Sequence, residues 1–277
     1  MFPMIFLLAV SSLAWSDQPA RLRKDLIQPY TFELQNKEPF SVPYYSSFKK
    51  GEYKLVYFAI NFEENTKAPA QALLAKIIDK FNPRVIVYQG DPKKAYQDPS
   101  YCGAELSIIS YVECIAQKRD TPLVKSEPED EALYKNLSRQ GVSAEDFFYF
   151  YVFRPLASKQ PALTVEQSVE SKIKQLSFIK KKFSKEGFLT WYSKKMKNEF
   201  SPTGRGSNEI APLEDGTFIQ KFAAKLDRFR ETEILEKTEA ALNKHKTVLV
   251  VYASAHLPKQ RRALETFFGK PTAERNN

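Results

Sequence analysis

Three short runs of β-branched and aromatic residues, separated by stretches of helical periodicity, constrain this chain more than any other feature. They are Tyr53 to Ile60 (YKLVYFAI), Arg84 to Gln89 (RVIVYQ) and Thr247 to Ala253 (TVLVVYA). Each reads as a strand with little polar interruption, the pattern of strands covered on both faces. Between the first two, Pro69 to Phe81 places Leu73, Leu74, Ile77, Ile78 and Phe81 on one side of a helix. Strand, helix and buried strand in that order form a βαβ unit, which predicts parallel pairing and a right-handed crossover. A helix over Gly103 to Gln117, a short strand at Pro122 to Ser126 and a helix at Pro258 to Phe268 continue the alternation. The expected fold class is therefore α/β: a central, largely parallel sheet flanked by helices.

Two regions depart from this rhythm. Asp17 to Gly51 is polar, aromatic and punctuated by proline, and reads as an irregular arm with a short strand. Pro155 to Gly216 reads as a helical insertion, with helices over Val165 to Phe183 and Gly187 to Phe200 and a long loop from Ser201 to Gly216. A loop of that length in a compact domain is commonly functional. With strands at both ends of the sequence, residues 17–277 are expected to form a single domain carrying that insertion.

The first sixteen residues address compartment. Met1 to Ser16 hold no charged side chain, and the apolar run Ile5 to Val10 is followed by small residues Ala14 and Ser16. The run is too short to span a bilayer core of about 30 Å, so the segment predicts a cleaved signal peptide and an exported, periplasmic or secreted, protein. The net charge of +9 favours anionic surfaces such as a membrane or cell wall. An exported chain without a recognisable nucleic-acid motif is not expected to bind nucleic acid. Cys102 and Cys114 could form an export-type disulfide, but a continuous helix from Gly103 would hold them roughly 18 Å apart. A bridge requires less than about 7 Å, so two separate thiols are expected.

Polar residues cluster where the strands end, the usual ligand position in open α/β sheets. Asn61 and Gln89 end the first two strands, Glu127 and Pro128 end the third, and His256 follows the last. Glu105 opens the helix after a Gly-Ala step. Ser143 and Asp146 suit the cap of an aromatic helix, Phe147 to Phe153, that closes on Arg154. A charge at that position is costly to bury without an acidic partner or an anionic ligand. Bland roles remain open for several of these: Glu127 as a cap, Glu105 as a first-turn acid, and Arg230 and Glu231 as solvated helix charges.

Five stretches together resemble the superfamily of TraB and TIKI proteins, with ChaN haem-uptake proteins and erythromycin esterases as relatives. They are YFAINFEEN (57–65), FNPRVIVYQGDP (81–92), GAELSIISYVECIAQKRDTPLVKSEPEDEAL (103–133), SAEDFFYFYVFR (143–154) and LDRFRETEILEKTEAALNKHKTVLVVYASAH (226–256). The resemblance implies a pocket formed by Glu105, Glu127, Arg154 and His256, and an ancestry of metal-dependent hydrolysis. Arg230 and Glu231 also resemble an Arg-acid pair of the same superfamily. The resemblance exposes departures as well. The first GxxH motif of that superfamily reads Phe58-Ala59-Ile60-Asn61 here, without histidine. The expected acidic residue after the second strand is Gln89, and the late GxxH motif reads Ala253-Ser254-Ala255-His256.

An Asn carbonyl replaces an imidazole ligand, and Gln89 cannot accept a proton at neutral pH. His245, between lysines at a helix end, suits a solvated role, which leaves His256 as the remaining candidate imidazole. Three readings follow. The first is a degenerate hydrolase that keeps a pocket for a small molecule or peptide. The second is an active hydrolase with an oxygen-ligated divalent cation held by Glu105, Glu127, Asn61 and Gln89. The third is a haem- or iron-handling protein using His256 or a pocket tyrosine. Lys172 to Lys197 reads as a solvated helical face, with attachment to an anionic membrane as the alternative.

Overall fold

A computed structural model describes residues 18–36, 42–61, 67–90, 102–103, 106–157, 163–201 and 207–275. The predicted signal peptide and Glu105 lie outside these residues. In chain order, α1 (Phe32–Asn36), β1 (Tyr44–Lys50) and β2 (Tyr53–Ile60) lead to α2 (Lys67–Phe81), β3 (Val85–Tyr88), α3 (Ile108–Lys118) and β4 (Leu123–Lys125). Then come α4 (Asp130–Arg139), α5 (Ala144–Leu156), α6 (Val165–Gln175) and α7 (Lys185–Met196). The chain finishes with α8 (Phe218–His245), β5 (Thr247–Ala253), α9 (His256–Phe268) and β6 (Ala273–Arg275).

The sheet order is β4-β3-β5-β2-β1-β6. Strands β4, β3, β5 and β2 pair in parallel, while β1 is antiparallel to both β2 and β6. The α/β class is thus as the periodicity predicts, with one topological difference. Strands β2 and β3 do not pair; β5 lies between them, joined in register to Lys54–Ile60 on one side and to Val85–Tyr88 on the other. The most apolar run of the chain takes the most enclosed place. Part of the irregular arm is also sheet: β1 pairs with β2 over its full length through a two-residue turn at Gly51, whose φ of 57° suits glycine.

Alternation along the strands builds two cores. Leu55, Tyr57, Val85, Val87, Val248, Val250 and Tyr252 point to one face, where the second half of α8 and α9 cover them. Val56, Phe58, Ile86, Leu249 and Val251 point to the other, against α2 and α3. A third core is helical and aromatic: Phe147, Phe150 and Phe153 of α5 pack with Phe188 and Trp191 of α7 and Phe222 of α8. Ser143 caps α5 by accepting the Asp146 amide at 3.0 Å. The predicted 165–183 helix stops at Gln175, where Leu176 leaves helical geometry, and Ser184 then caps the next helix by accepting the Gly187 amide.

Helix α8 belongs to two of these cores. At 1.5 Å per residue it runs about 42 Å. Ile219, Phe222 and Leu226 sit in the aromatic core, and Ile234, Leu235 and Leu242 in the sheet core. Before β1, residues 18–27 form an arm strapped to the same side. Asn243 accepts the Ala20 amide at 2.7 Å and donates to the Ala20 carbonyl at 3.1 Å, and Ala20, Leu22 and Ile27 are buried.

The two cysteines are not separate thiols. Cys102 and Cys114 form a disulfide with Cα atoms 5.7 Å apart. The expected separation assumed a helix from Gly103, whereas α3 starts at Ile108, capped by Ser107, whose hydroxyl accepts the Ser110 amide. Without those first helical turns, Cys102 folds back beside Cys114.

Candidate functional site

The parallel strands β2, β3, β4 and β5 present their C-terminal ends together, and the predicted polar residues follow those ends. Gln89, after β3, accepts the Ala253 amide of β5 at 3.3 Å, so its amide side chain ties two strand ends together. Ser126, after β4, is buried. Its hydroxyl lies 2.6 Å from the Tyr252 hydroxyl and donates to the Tyr88 carbonyl at 3.3 Å. Burial pushes the Tyr252 phenol well above its ordinary range, aided by the negative charge of Glu127. The tyrosine is a neutral hydrogen-bonding group throughout the physiological range.

Two charged groups flank Tyr252. On one side Glu127 and Arg230 of α8 form an ion pair, Oε2 to Nε, at 3.4 Å. The other carboxylate oxygen of Glu127, Oε1, is buried and has no hydrogen-bond partner among the described residues. Arg154, in the last turn of α5, lies close enough to feel both Arg230 and Glu127. Burial and then the Arg230 charge lower its proton affinity below that of an ordinary arginine. Its guanidinium stands 5.9 Å from the Tyr151 ring centre, and no carboxylate among the described residues comes within ion-pairing distance of it. The nearby Asp130 is already engaged, accepting from Tyr151 Oη at 2.9 Å and from Gln175 Nε2 at 2.7 Å. Gln89, Gly90, Lys125, Glu127, Pro128, Glu129 and Asp130 line an adjoining cavity of about 230 Å³. That is smaller than the several hundred Å³ typical of drug-sized ligand sites, and fits a small polar group.

On the other side of Tyr252, His256 opens α9, with its ring edge-to-face against the tyrosine at 5.1 Å. Its Nδ1 is 2.7 Å from Oε1 of Glu231. That carboxylate is fully buried, which corrects its reading as a solvated helix charge. Lys259 pairs with the same oxygen and also donates to Asp227 at 2.6 Å, while Gln260 donates to Oε2 at 2.6 Å. Burial alone would raise the Glu231 pKa, but His256 and Lys259 outweigh it and hold it at about 2. An ionised acceptor fixes the proton of His256 on Nδ1, so in the neutral ring Nε2 carries the lone pair. The Asp227–Glu231 segment lies where α8 passes from the aromatic core to the sheet core. A layer of paired charges fills the seam between them.

No family model, no curated protein and no solved structure matches this chain. Its own residues carry the functional argument. Of the residues expected to form the site, Glu127 and Arg154 come together with Arg230, and His256 joins Glu231 across Tyr252. Asn61 is half-buried just beyond β2. Among the described residues, no group of three or more His, Cys, Asp or Glu is placed to hold a metal ion. Glu231 is already saturated by three donors, one of them Lys259, and Glu127 faces a guanidinium. The described residues therefore do not fit a divalent cation, and His256, buried against Glu231 and Tyr252, does not fit a haem ligand. A wider groove of about 700 Å³ lies between Asn136 of α4, with Gln140 just after it, and the outer face of α8. No strand-end residue lines it.

Sequence reading missed Lys259, Gln260 and the burial of Glu231. The signal was present: Asp227 and Glu231 continue the stripe of Ile234, Leu235, Thr238 and Leu242 at helical spacing, opposite His256, Lys259 and Gln260 at i, i+3 and i+4.

Proposed function

We propose that this chain is an exported binding protein on a hydrolase-like scaffold of the TraB/TIKI type, one that holds a small anionic group rather than turning over a substrate efficiently. The observation that carries this reading is Arg154. This half-buried guanidinium, near a second one, Arg230, has no carboxylate within ion-pairing distance among the described residues, and a carboxylate or phosphate would stabilise it. The neutral Gln89 and Asn61, in place of an acid and an imidazole, favour binding over proton transfer. Export is supported by the Cys102–Cys114 disulfide, a pairing typical of oxidising compartments.

The test is calorimetric titration of the mature chain with inorganic phosphate, acetate and an acidic dipeptide, repeated on Arg154→Gln. Saturable binding that the substitution abolishes is the expected result. Binding unchanged in Arg154→Gln, or no binding of any anion by the native chain, overturns the reading.

A second reading, a remodelled hydrolase, is favoured by Glu127, whose Oε1 is a buried acceptor without a hydrogen-bond partner among the described residues. Assay of a peptide and ester panel separates the two. Turnover lost in Glu127→Gln would establish the enzyme.

A further inference from the structure

Positive charge is unevenly distributed over this molecule. Between residues 170 and 199 there are nine lysines, no arginine and three glutamates, so this tenth of the chain carries six of the nine net positive charges. Two of the lysines are committed elsewhere: Lys185 to Glu166 and Lys195 to Asp146. Lys174 of α6 and Lys180, Lys181 and Lys182, in the connection to α7, are exposed. Among the described residues no carboxylate lies within ion-pairing distance of them.

The connection is short and held in shape from beneath. Leu176 and Ile179 are buried, the Ile179 amide bonds to the Leu176 carbonyl at 2.9 Å, and Phe183 stacks on Phe148 of α5 with ring centres 3.7 Å apart. A firm base presents the lysines outward. Beside them, in the last turn of α6, Ile173 is 45% exposed. Only Phe32 is a comparably exposed large apolar side chain among the described residues.

We infer that the tip formed by the end of α6 and the 176–184 connection docks on an anionic lipid bilayer. Lysine ammonium groups on flexible stems attract acidic headgroups without needing one fixed geometry. An apolar side chain set among them adds what a soluble polyanion cannot use, namely insertion at the boundary between headgroups and acyl chains. Ile173 therefore favours a bilayer over a wall polymer as the partner. The same helix also reaches the candidate site. Gln175 bonds to Asp130, and Lys172 has its proton affinity lowered first by burial and then by the charge of Arg154. A docked tip would hold the cavity lined by Asp130 close to the lipid surface. The inference does not depend on what that cavity binds.

Sedimentation of the mature chain with vesicles tests it. Binding is expected to phosphatidylcholine vesicles containing phosphatidylglycerol, to be absent with phosphatidylcholine alone, and to weaken steeply with salt. The combined change Lys180→Glu, Lys181→Glu, Lys182→Glu should reduce it by roughly 100-fold or more, as expected for three lysines at an anionic surface. Lys54→Glu, Lys76→Glu, Lys80→Glu, which alters net charge equally on another face, should leave most of the binding intact. Ile173→Ser should weaken vesicle binding several-fold while leaving retention on a soluble polyanion such as heparin unchanged. Three results would overturn the inference: no binding to anionic vesicles, equal loss in both triple variants, or vesicle binding indifferent to Ile173→Ser and matched by heparin.

Discussion

Glu231 and Lys259 form an ion pair with almost no exposed surface, 0% and 2% of their side chains respectively. The pair joins α8 to α9 beneath the sheet, where each charge depends on the other for its stability. Removing one partner leaves a buried charge poorly compensated, which typically costs about 3–5 kcal/mol. Glu231→Gln should therefore lower the urea midpoint sharply, and Lys259→Met in the same chain should recover much of the loss. A midpoint unchanged in Glu231→Gln would mean that Asp227 alone suffices for Lys259.

The same pair sets a pH window. The folded-state pKa of Glu231, about 2, lies below its ordinary value of 4.5, so its contribution is complete above pH 4.5 and declines as pH falls toward 2. For Lys259, burial lowers the pKa but Glu231 and Asp227 raise it further, for a net rise. Its contribution is complete below the ordinary lysine value of 10.5 and is lost as pH climbs beyond that. Thermal melts of the native chain and Glu231→Gln should differ most within the intervening range. The difference should shrink below pH 4.5.

Closing a loop between residues twelve apart removes freedom from the unfolded chain, an effect of up to about 3 kcal/mol. Replacing Cys102 and Cys114 together by serine should lower the melting temperature. Thiol titration of the unfolded native chain without reductant should find no free thiol. Two titratable thiols would contradict the bridge.

Asn243 makes both backbone hydrogen bonds to Ala20, and Arg228 donates to the carbonyl of Ile27. Asn243→Ala should loosen the 18–27 arm at a cost of about 1–3 kcal/mol, the usual range for leaving backbone groups without partners. Amide exchange measured by mass spectrometry would rise in that segment and remain unchanged in β5.

Much of this architecture was legible because period-two apolar runs have few alternatives. Tyr53–Ile60 and Thr247–Ala253 are strands with the predicted bounds. The placement of β5 between β2 and β3 was not legible, since a run buried on both faces fits any interior position. The disulfide was hidden by reading apolar periodicity back to Gly103, when Ser107 was the stronger start signal. In the candidate site, strand-end position singled out Glu127 and His256, and the cost of burying a charge singled out Arg154. The burial of Glu231 escaped because charged residues on helices are usually solvated, and its partners lie 25 to 29 residues away on another element.

The short terminal strand has a consequence for self-association. The two margins of the sheet, β4 and β6, are each three residues long, which leaves little ledge for a foreign strand to pair with. Ala273–Arg275 pairs with Tyr45–Ser47, and the Thr272 amide bonds to the Ser47 carbonyl at 2.7 Å. The last few residues thus work as a guard rail along seven-residue β1. A protease that clipped them would unmask the backbone of that strand, with the apolar Tyr45 and Phe48 alongside, and leave a template for aggregation.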